Sequence, residues 1–338
     1  MTEASTTDTP RRGKGLVLFS GGLDSLLAAL ILRDQGCHVD CVTFTSPFFG
    51  AESARKGAAK IGVELHVVDF TEDILDSVRH PRHGFGGALN PCIDCHAKMV
   101  SRAFEMVDQR GWDFVATGEV LNQRPMSQTR SSLGVVSKDC GDIDRLVRPL
   151  SALLLEPTRP EREGLIDRSK LFDINGRSRK VQHELAKRFG LGPDDYPSSG
   201  GGCLLTEKLF CNKLKDLRIR DRLVRSEVEL LKIGRHFRIS ENAKCIVGRN
   251  EKENNRLEEM AGESFLVLNT VGVPGAYVLA PAEISGKDLD VALRLCAGYS
   301  DAKGQTTPVS VRCRKQGEKI LERDVVPLPR EEARNWML

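Results

Sequence analysis

Near the amino end, apolar positions fall in short continuous runs, separated by stretches where they recur at helical spacing. Leu16-Val17-Leu18-Phe19 has the length of a strand buried on both faces. It breaks into Ser20-Gly21-Gly22, and an amphipathic stretch at residues 26 to 35 follows, so strand, glycine loop and helix are predicted in that order. The alternation continues with a strand over 38 to 45, a helix over 53 to 61, a strand over 64 to 70, a helix over 97 to 110 and a strand over 114 to 117. Strands that alternate with helices predict an α/β fold built on a doubly wound parallel sheet.

Residues 157 to 190 read as mostly helical, with a basic amphipathic segment at 177 to 189, and a loop rich in Gly, Pro and Ser occupies 190 to 202. After Lys215 the texture changes. Short strand-like runs at 237 to 239, 244 to 247, 264 to 269, 277 to 280 and 309 to 314 predict a second, smaller α+β domain. Residues 1 to 14 are polar and read as a disordered tail, which leaves domains at 15 to 212 and 213 to 338, joined near 208 to 216.

Composition narrows the class. Hydrophobic residues at 40% and charged residues at 29% describe an ordinary globular chain, and a net charge of +3 permits an RNA partner without demanding one. No run of about 18 apolar residues and no secretory signal is found, so a cytoplasmic protein with no membrane partner is expected. Ten cysteines in such a chain point to metal or redox chemistry for some of them.

Ser20-Gly21-Gly22-Leu23-Asp24-Ser25 lies at the first strand-to-helix junction, where backbone N–H groups and the helix dipole favour an anion. Gly21 and Gly22 let the main chain approach a phosphate, Ser20 and Ser25 add donors, and Asp24 can hold a divalent cation. A capped glycine turn is the plainer alternative. The six residues together resemble the PP-loop ATP pyrophosphatases, whose motif is SGGxDS and which cleave ATP between the α and β phosphates. That resemblance implies ATP and Mg²⁺ as cofactors, adenine beside Phe44, Thr45 and Ser46, and Gly118 and Glu119 closing the other side. A Walker loop is absent from the sequence.

Asn90-Pro91-Cys92-Ile93-Asp94-Cys95 supplies a CxxC pair, and Gly200-Gly201-Gly202-Cys203 a third thiol, all expected on loops. Zinc would take His96 as a fourth ligand; three thiolates with an open position suit an iron–sulfur cluster with one exposed iron; a redox pair carrying a persulfide is the third option. Cys37, Cys41, Cys140, Cys245, Cys296 and Cys313 read as small buried residues, with Cys211 a lesser candidate for the site. Thr117-Gly118-Glu119, Gln123, Ser127-Gln128-Thr129 and Arg148-Pro149-Leu150 resemble the 4-thiouridine synthetases, while the NPCxxC and GGGC elements resemble the 2-thiouridylases and cluster-dependent tRNA thiolases. This likeness spans residues 15 to 207. It implies a tRNA sulfurtransferase that adenylates a uracil carbonyl, releases pyrophosphate, and displaces AMP with sulfur to give 4-thiouridine, or alternatively 2-thiouridine. Asp24, Cys92, Cys95 and Cys203 would be its catalytic residues, and the three cysteines would ligate a 4Fe-4S cluster. The sulfur would come from sulfide or from a persulfide donor such as a cysteine desulfurase. The THUMP and rhodanese-like regions are not recognisable, so another module is expected to hold the RNA. The rival readings are a PP-loop ligase or amidotransferase with an amine nucleophile, a thiolase of a small molecule, and a non-catalytic RNA-binding protein with a degenerate PP-loop; a homodimer is left open.

Residues 244 to 257, with their VGRNxxxN turn, and Val273-Pro274-Gly275 through Leu279 resemble the RNA-binding domain of NFACT proteins, a likeness that covers about 216 to 325. Arg235, Arg238, Lys244 and Arg249 can pair with phosphates, and Asn250, Asn254 and Asn255 can reach riboses or bases. A solvated charged turn is the alternative. With aromatics at only 5%, recognition by shape and backbone is expected over stacking, which suits a folded tRNA.

Overall fold

The computed structural model describes residues 11–198 and 202–338. The expected tail at 1 to 10, and Gly200 and Gly201 of the glycine run, lie outside the described residues. The chain divides into two compact units, Met1–Thr206 and Glu207–Leu338. The expected boundary at 212/213 would cut through a helix, Lys208–Ile219, that belongs to the second unit.

In the first unit, strands β1 (Lys14–Leu18), β2 (His38–Thr45), β3 (Leu65–Asp69), β4 (Phe114–Thr117) and β5 (Leu146–Val147) form one parallel sheet in the order β3-β2-β1-β4-β5. β1 is central, with Leu16 and Val17 wholly buried, as its unbroken apolar run requires. Helices α1 (Leu23–Asp34), α2 (Glu52–Ile61), α3 (Thr71–Arg79) and α4 (Cys92–Arg110) precede β4. They are followed by α5 (Arg130–Asp139), α6 (Arg159–Arg162) and α7 (Lys180–Arg188). The strand order reverses between β1 and β4, which opens a crevice at their carboxyl ends, where ligands of open α/β sheets bind.

Three expectations need correction here. Residues 11 to 14 are anchored, since Arg11 pairs with Asp113 at 2.8 Å and Lys14 begins β1. Helix α4 starts at Cys92, so the CxxC pair sits in a helical first turn and not on a loop; Asp94 in that turn suits the helix dipole, and Pro91 stands at the cap, where a missing N–H costs nothing. Between 157 and 190 only α6 and α7 are α-helical, because Gly164, Gly176 and Gly190, all at positive φ, interrupt the pattern.

In the second unit, six strands form an antiparallel sheet: β6 (Arg235–Arg238), β7 (Lys244–Val247), β8 (Phe265–Thr270), β9 (Val278–Pro281), β10 (Val309–Lys315) and β11 (Glu318–Val325), in the order β11-β10-β8-β9-β7-β6. The helices are α8 (Lys208–Ile219), α9 (Arg225–Leu230), α10 (Glu251–Ala261), α11 (Gly286–Gly298) and α12 (Arg330–Arg334). Alternation along the strands divides the core. Cys245, Val247, Leu268 and Val278 pack with α11, whereas Ile246, Val267 and Leu279 pack with Leu230 of α9 and Leu257 of α10. Strand β11 escapes a hydrophobic reading because it is a charged, largely exposed edge, a composition that discourages further pairing. Among the described residues no helix is long and apolar enough to cross a membrane.

Candidate functional site

The loop after β1 is shaped by its glycines. Gly21 has φ +76°, and a methyl group there would stand 2.2 Å from the Ser53 backbone, so only glycine lets this loop lie against α2. Ser25 donates to the Gly22 carbonyl at 2.8 Å, closing the turn. No side chain caps the N-terminus of α1, which leaves its first N–H groups directed at the crevice. From the other side, a methyl group on Gly118 would come within 2.6 Å of the Asp24 and Ser25 backbone. The first turn of α1 and the loop after β4 are therefore closely apposed, backbone to backbone.

Asp24 is the centre of a polar network that joins distant parts of the chain. Its Oδ2 accepts from Gln123 Nε2 at 2.7 Å and from Arg179 Nη2 at 2.9 Å, and Gln182 donates to Gln123 at 2.8 Å. Its Oδ1 is buried and has no hydrogen-bond partner, as is also true of Arg179 Nε and Gln182 Oε1. Buried polar atoms are nearly always satisfied by protein, water or ligand, so these three offer hydrogen-bonding capacity to a polar guest. A carboxylate oxygen in that position fits Mg²⁺, which uses one or two carboxylates together with substrate phosphates. Arg179 and Gln182 escaped the sequence reading; the only signal for them was the basic character of the 177 to 189 segment.

Of the residues expected around adenine, Phe44 is buried with its ring 5.2 Å from that of Phe70, and Thr45 bonds to the Val68 carbonyl at 3.4 Å. Ser46 follows at the carboxyl end of β2 and pairs with Phe49. Glu119 is buried; it accepts from Thr117 at 3.1 Å and Arg148 at 2.9 Å, and His96 Nδ1 lies 3.1 Å away. Burial alone would raise its pKa, but Arg148 and His96 overcome this and hold it down to about 2.

The thiols stand beside this network. His96, which contacts Glu119, directly follows Cys95 in α4, and Leu204 donates to the Phe48 carbonyl at 3.0 Å, which brings Cys203 to the carboxyl end of β2. Asn90 Nδ2 lies 3.1 Å from Cys92 Sγ. The Cys95 thiol is pushed well up, first by burial and then by the nearby Cys203 and Cys92. All ten cysteines are thiols, and Cys211 is buried in the second unit. The described residues contain one close trio of donors, Asp40, Glu64 and His66, but it lies at the amino ends of β2 and β3, away from the crevice.

In the second unit the expected RNA-contacting residues separate into two groups. Arg238 binds Asp216 through two bonds at 2.9 and 2.5 Å, and Lys244 is buried 4.0 Å from the same carboxylate. Arg235, Arg249, Asn250 and Asn254 line a cleft of about 560 Å³. Asn255 lies on α10, outside this cleft, beside Arg256 and Glu259.

The architecture is thus a parallel α/β unit with a glycine loop and thiols at its crevice, followed by a small α+β unit. Residues 11–153 match the family described as thiamine biosynthesis protein (ThiI), and residues 234–337 match the NFACT protein RNA binding domain. The first unit is accordingly similar to a ThiI-type domain and the second to an NFACT-type RNA-binding domain. A tRNA-specific 2-thiouridylase MnmA from Marinobacter nauticus is 26% identical over 64% of this chain and 56% of its own length. The protein of the same name from Syntrophotalea carbinolica is 32% identical over 44% of this chain and 50% of its own. The chain spans about half the length of these curated relatives. A solved 4-thiouridine synthetase–RNA complex with bound ATP is 19% identical, covering 52% of this chain and 50% of that one, with a TM-score of 0.34, too loose a superposition to argue from.

Proposed function

We propose that the protein is a cytoplasmic tRNA sulfurtransferase that uses ATP to exchange a uridine carbonyl oxygen for sulfur. Oxide is too poor a leaving group to be displaced at neutral pH. ATP removes the difficulty: the uracil oxygen attacks the α-phosphorus, pyrophosphate departs, and the base carries AMP as its leaving group. Ser20 to Ser25 and the uncapped start of α1 bind the phosphates, and Asp24 Oδ1 would hold Mg²⁺, which supplies charge neutralisation for the departing pyrophosphate. Arg179, which rests on Asp24 in this structure, is placed to turn its free Nε to the same phosphates. A sulfur nucleophile then adds to the activated ring carbon, AMP leaves with the original oxygen, and the base loses a proton to give the thiocarbonyl.

What supports this reading is the single crevice shared by the unsatisfied Asp24 oxygen, the glycine loop, Glu119 and the segment carrying Cys92 and Cys95. The donor set suits a 4Fe-4S cluster, which Cys92, Cys95 and Cys203 would hold and which when bound supplies an iron site for sulfide. Burial, with Cys203 and Cys92 close by, pushes the Cys95 thiol up, a cost that such a cationic centre would relieve. The persulfide alternative uses the same residues, with the sulfur carried on Cys203. The motifs after β4 favour O4 as the oxygen exchanged; the 2-thiouridylase name of the relatives favours O2.

The test is anaerobic purification with iron and sulfide analysis. Incubation with tRNA, ATP and sulfide then follows, with nucleosides separated against 4-thiouridine and 2-thiouridine standards. Thiolated nucleoside and stoichiometric AMP are expected. ATP cleavage that survives without any thionucleoside, and that is indifferent to Cys92→Ser, Cys95→Ser and Cys203→Ser, would overturn the reading in favour of an amine nucleophile.

A further inference from the structure

We infer that the cleft beside Tyr299 is a phosphate pocket for the RNA backbone, built by arginines from both ends of the second unit. This rests on the tRNA reading above and extends it to a defined site. Tyr299, just past the end of α11, carries two guanidinium groups against its ring. Arg235 at the start of β6 lies 5.6 Å from the ring centroid, and Arg330 at the start of α12 lies 4.9 Å from it. Arg334 lines the same cleft one helical turn beyond Arg330. None of the three forms an ion pair with a carboxylate among the described residues; Arg330 donates instead to the Gly298 carbonyl at 3.3 Å.

Many arginines elsewhere in the second unit are paired instead. Arg238, Arg249, Arg312, Arg314 and Arg323 in the same unit are all matched to carboxylates. Unmatched arginines that converge on a concavity repel one another, and the contact with an aromatic ring offsets part of that cost while holding the guanidinium planes in place. A pre-ordered fork of this kind is matched to phosphate oxygens, which it can meet through paired N–H bonds.

The opposite wall is the start of α10. Asn250 caps the helix by accepting from the Glu253 N–H at 3.0 Å, and Asn254 accepts from the Tyr277 N–H at 3.0 Å, so both amides are structural and give the wall its shape. A methyl group on Gly248 would meet Asn254 at 2.2 Å, and one on Gly275 would meet Ser300 at 2.7 Å, so glycine at both positions keeps the cleft deep. Glu251 is the one carboxylate in the lining, set against Arg235, Arg330, Arg334 and the Glu253-paired Arg249. At about 560 Å³ the cleft is larger than one phosphate ion requires and admits a phosphodiester with its adjoining sugar.

The experiment uses the full chain and unmodified tRNA, with binding measured from 50 to 300 mM salt. Arg330→Ala/Arg334→Ala is compared with wild type, with Arg330→Lys/Arg334→Lys, and with Arg256→Ala as a control outside the cleft. The double alanine variant is expected to weaken binding about tenfold or more and to make the slope of log K against log salt shallower by about one to two units. The lysine pair should restore the slope but only part of the affinity, because the charge returns without the planar fork. Wild-type binding that the double alanine variant matches within twofold overturns the pocket and leaves the tRNA reading intact; absence of wild-type binding removes that reading itself. Inorganic phosphate and a mononucleotide serve as competitors. Displacement of tRNA by phosphate alone at millimolar concentration would make the cleft a small-anion site and overturn its assignment to the backbone.

Discussion

Asp24 and Asp216 are both carboxylates set among cationic side chains, yet the two surroundings are finished to different degrees. Asp216 is met by Arg238 through two bonds, by Arg220 at 3.3 Å and by Lys244 at 4.0 Å, and its oxygens have cationic partners on every side. Asp24 gives one oxygen to Gln123 and Arg179 and keeps the other buried without a partner. A saturated buried ion cluster fastens elements together; here it ties α8 to β6 and β7. An unsaturated one retains a destabilising group in exchange for the capacity to bind, which is the usual character of a functional site. The presence of charge therefore says little about function, and the completeness of its pairing says a good deal.

The largest effect that would sharpen this contrast lies in the thiols of the first unit. On the proposed reading, in which these thiols present the sulfur, Cys92→Ser, Cys95→Ser and Cys203→Ser should each lower thionucleoside formation on the order of 10³-fold or more. Nucleoside mass spectrometry reads this directly, and ATP-dependent pyrophosphate release measured alongside should fall far less. Asp24→Asn comes next. With one neutral oxygen offered to the cation, kcat/KM for pyrophosphate release should fall on the order of 10²–10³-fold. Its midpoint in urea should move less than that of an Asp216 variant, since the carboxylate at 24 is already only half paired.

Asp216→Ala reverses the pattern. Removal of a carboxylate only 8% exposed strands Arg238 and Lys244, and the second unit should lose about 3–5 kcal/mol of stability by urea unfolding. Pyrophosphate release in the first unit should stay near wild type; a fall comparable to that of Asp24→Asn would break the comparison.

The smallest effect concerns pH. Burial pushes the Lys244 ammonium down to about 8 despite Asp216 beside it. From pH 8 up to the ordinary lysine range near 10.4 the unfolded chain then binds more protons than the folded one, so stability rises with pH across that window. The gain amounts to at most about 3 kcal/mol and is absent below pH 8. Urea unfolding at pH 8 and pH 10 should reveal the rise in wild type and its loss in Lys244→Met; a flat wild-type profile would refute the burial of a charged lysine.

The alternation of apolar runs and amphipathic stretches was enough to read a parallel α/β sheet, because β1 and β2 need continuous apolar sequence to be buried on both faces. The glycine loop was legible for a similar local reason, since Gly21 is required by contacts only 32 residues away, at Ser53. Helices α3 and α5 were missed, and α4 was begun too late, because Pro91 and the polar residues after it read as a loop when they form a cap and a first turn. Arg238 and Lys244 looked equivalent to Arg235 and Arg249 along the chain. Their difference lies in Asp216, which α8 carries to them from another part of the sequence.

By itself the sequence determined the class of each unit and the glycine turn after β1, because periodicity and glycine act through local geometry. Only the tertiary structure decided that the strand order reverses at the paired β1 and β4, that Arg179 reaches Asp24 across 155 positions, and that Arg330 and Arg334 share one cleft with Arg235 beside Tyr299. Those relations depend on how distant segments pack, and no local property of either partner encodes them.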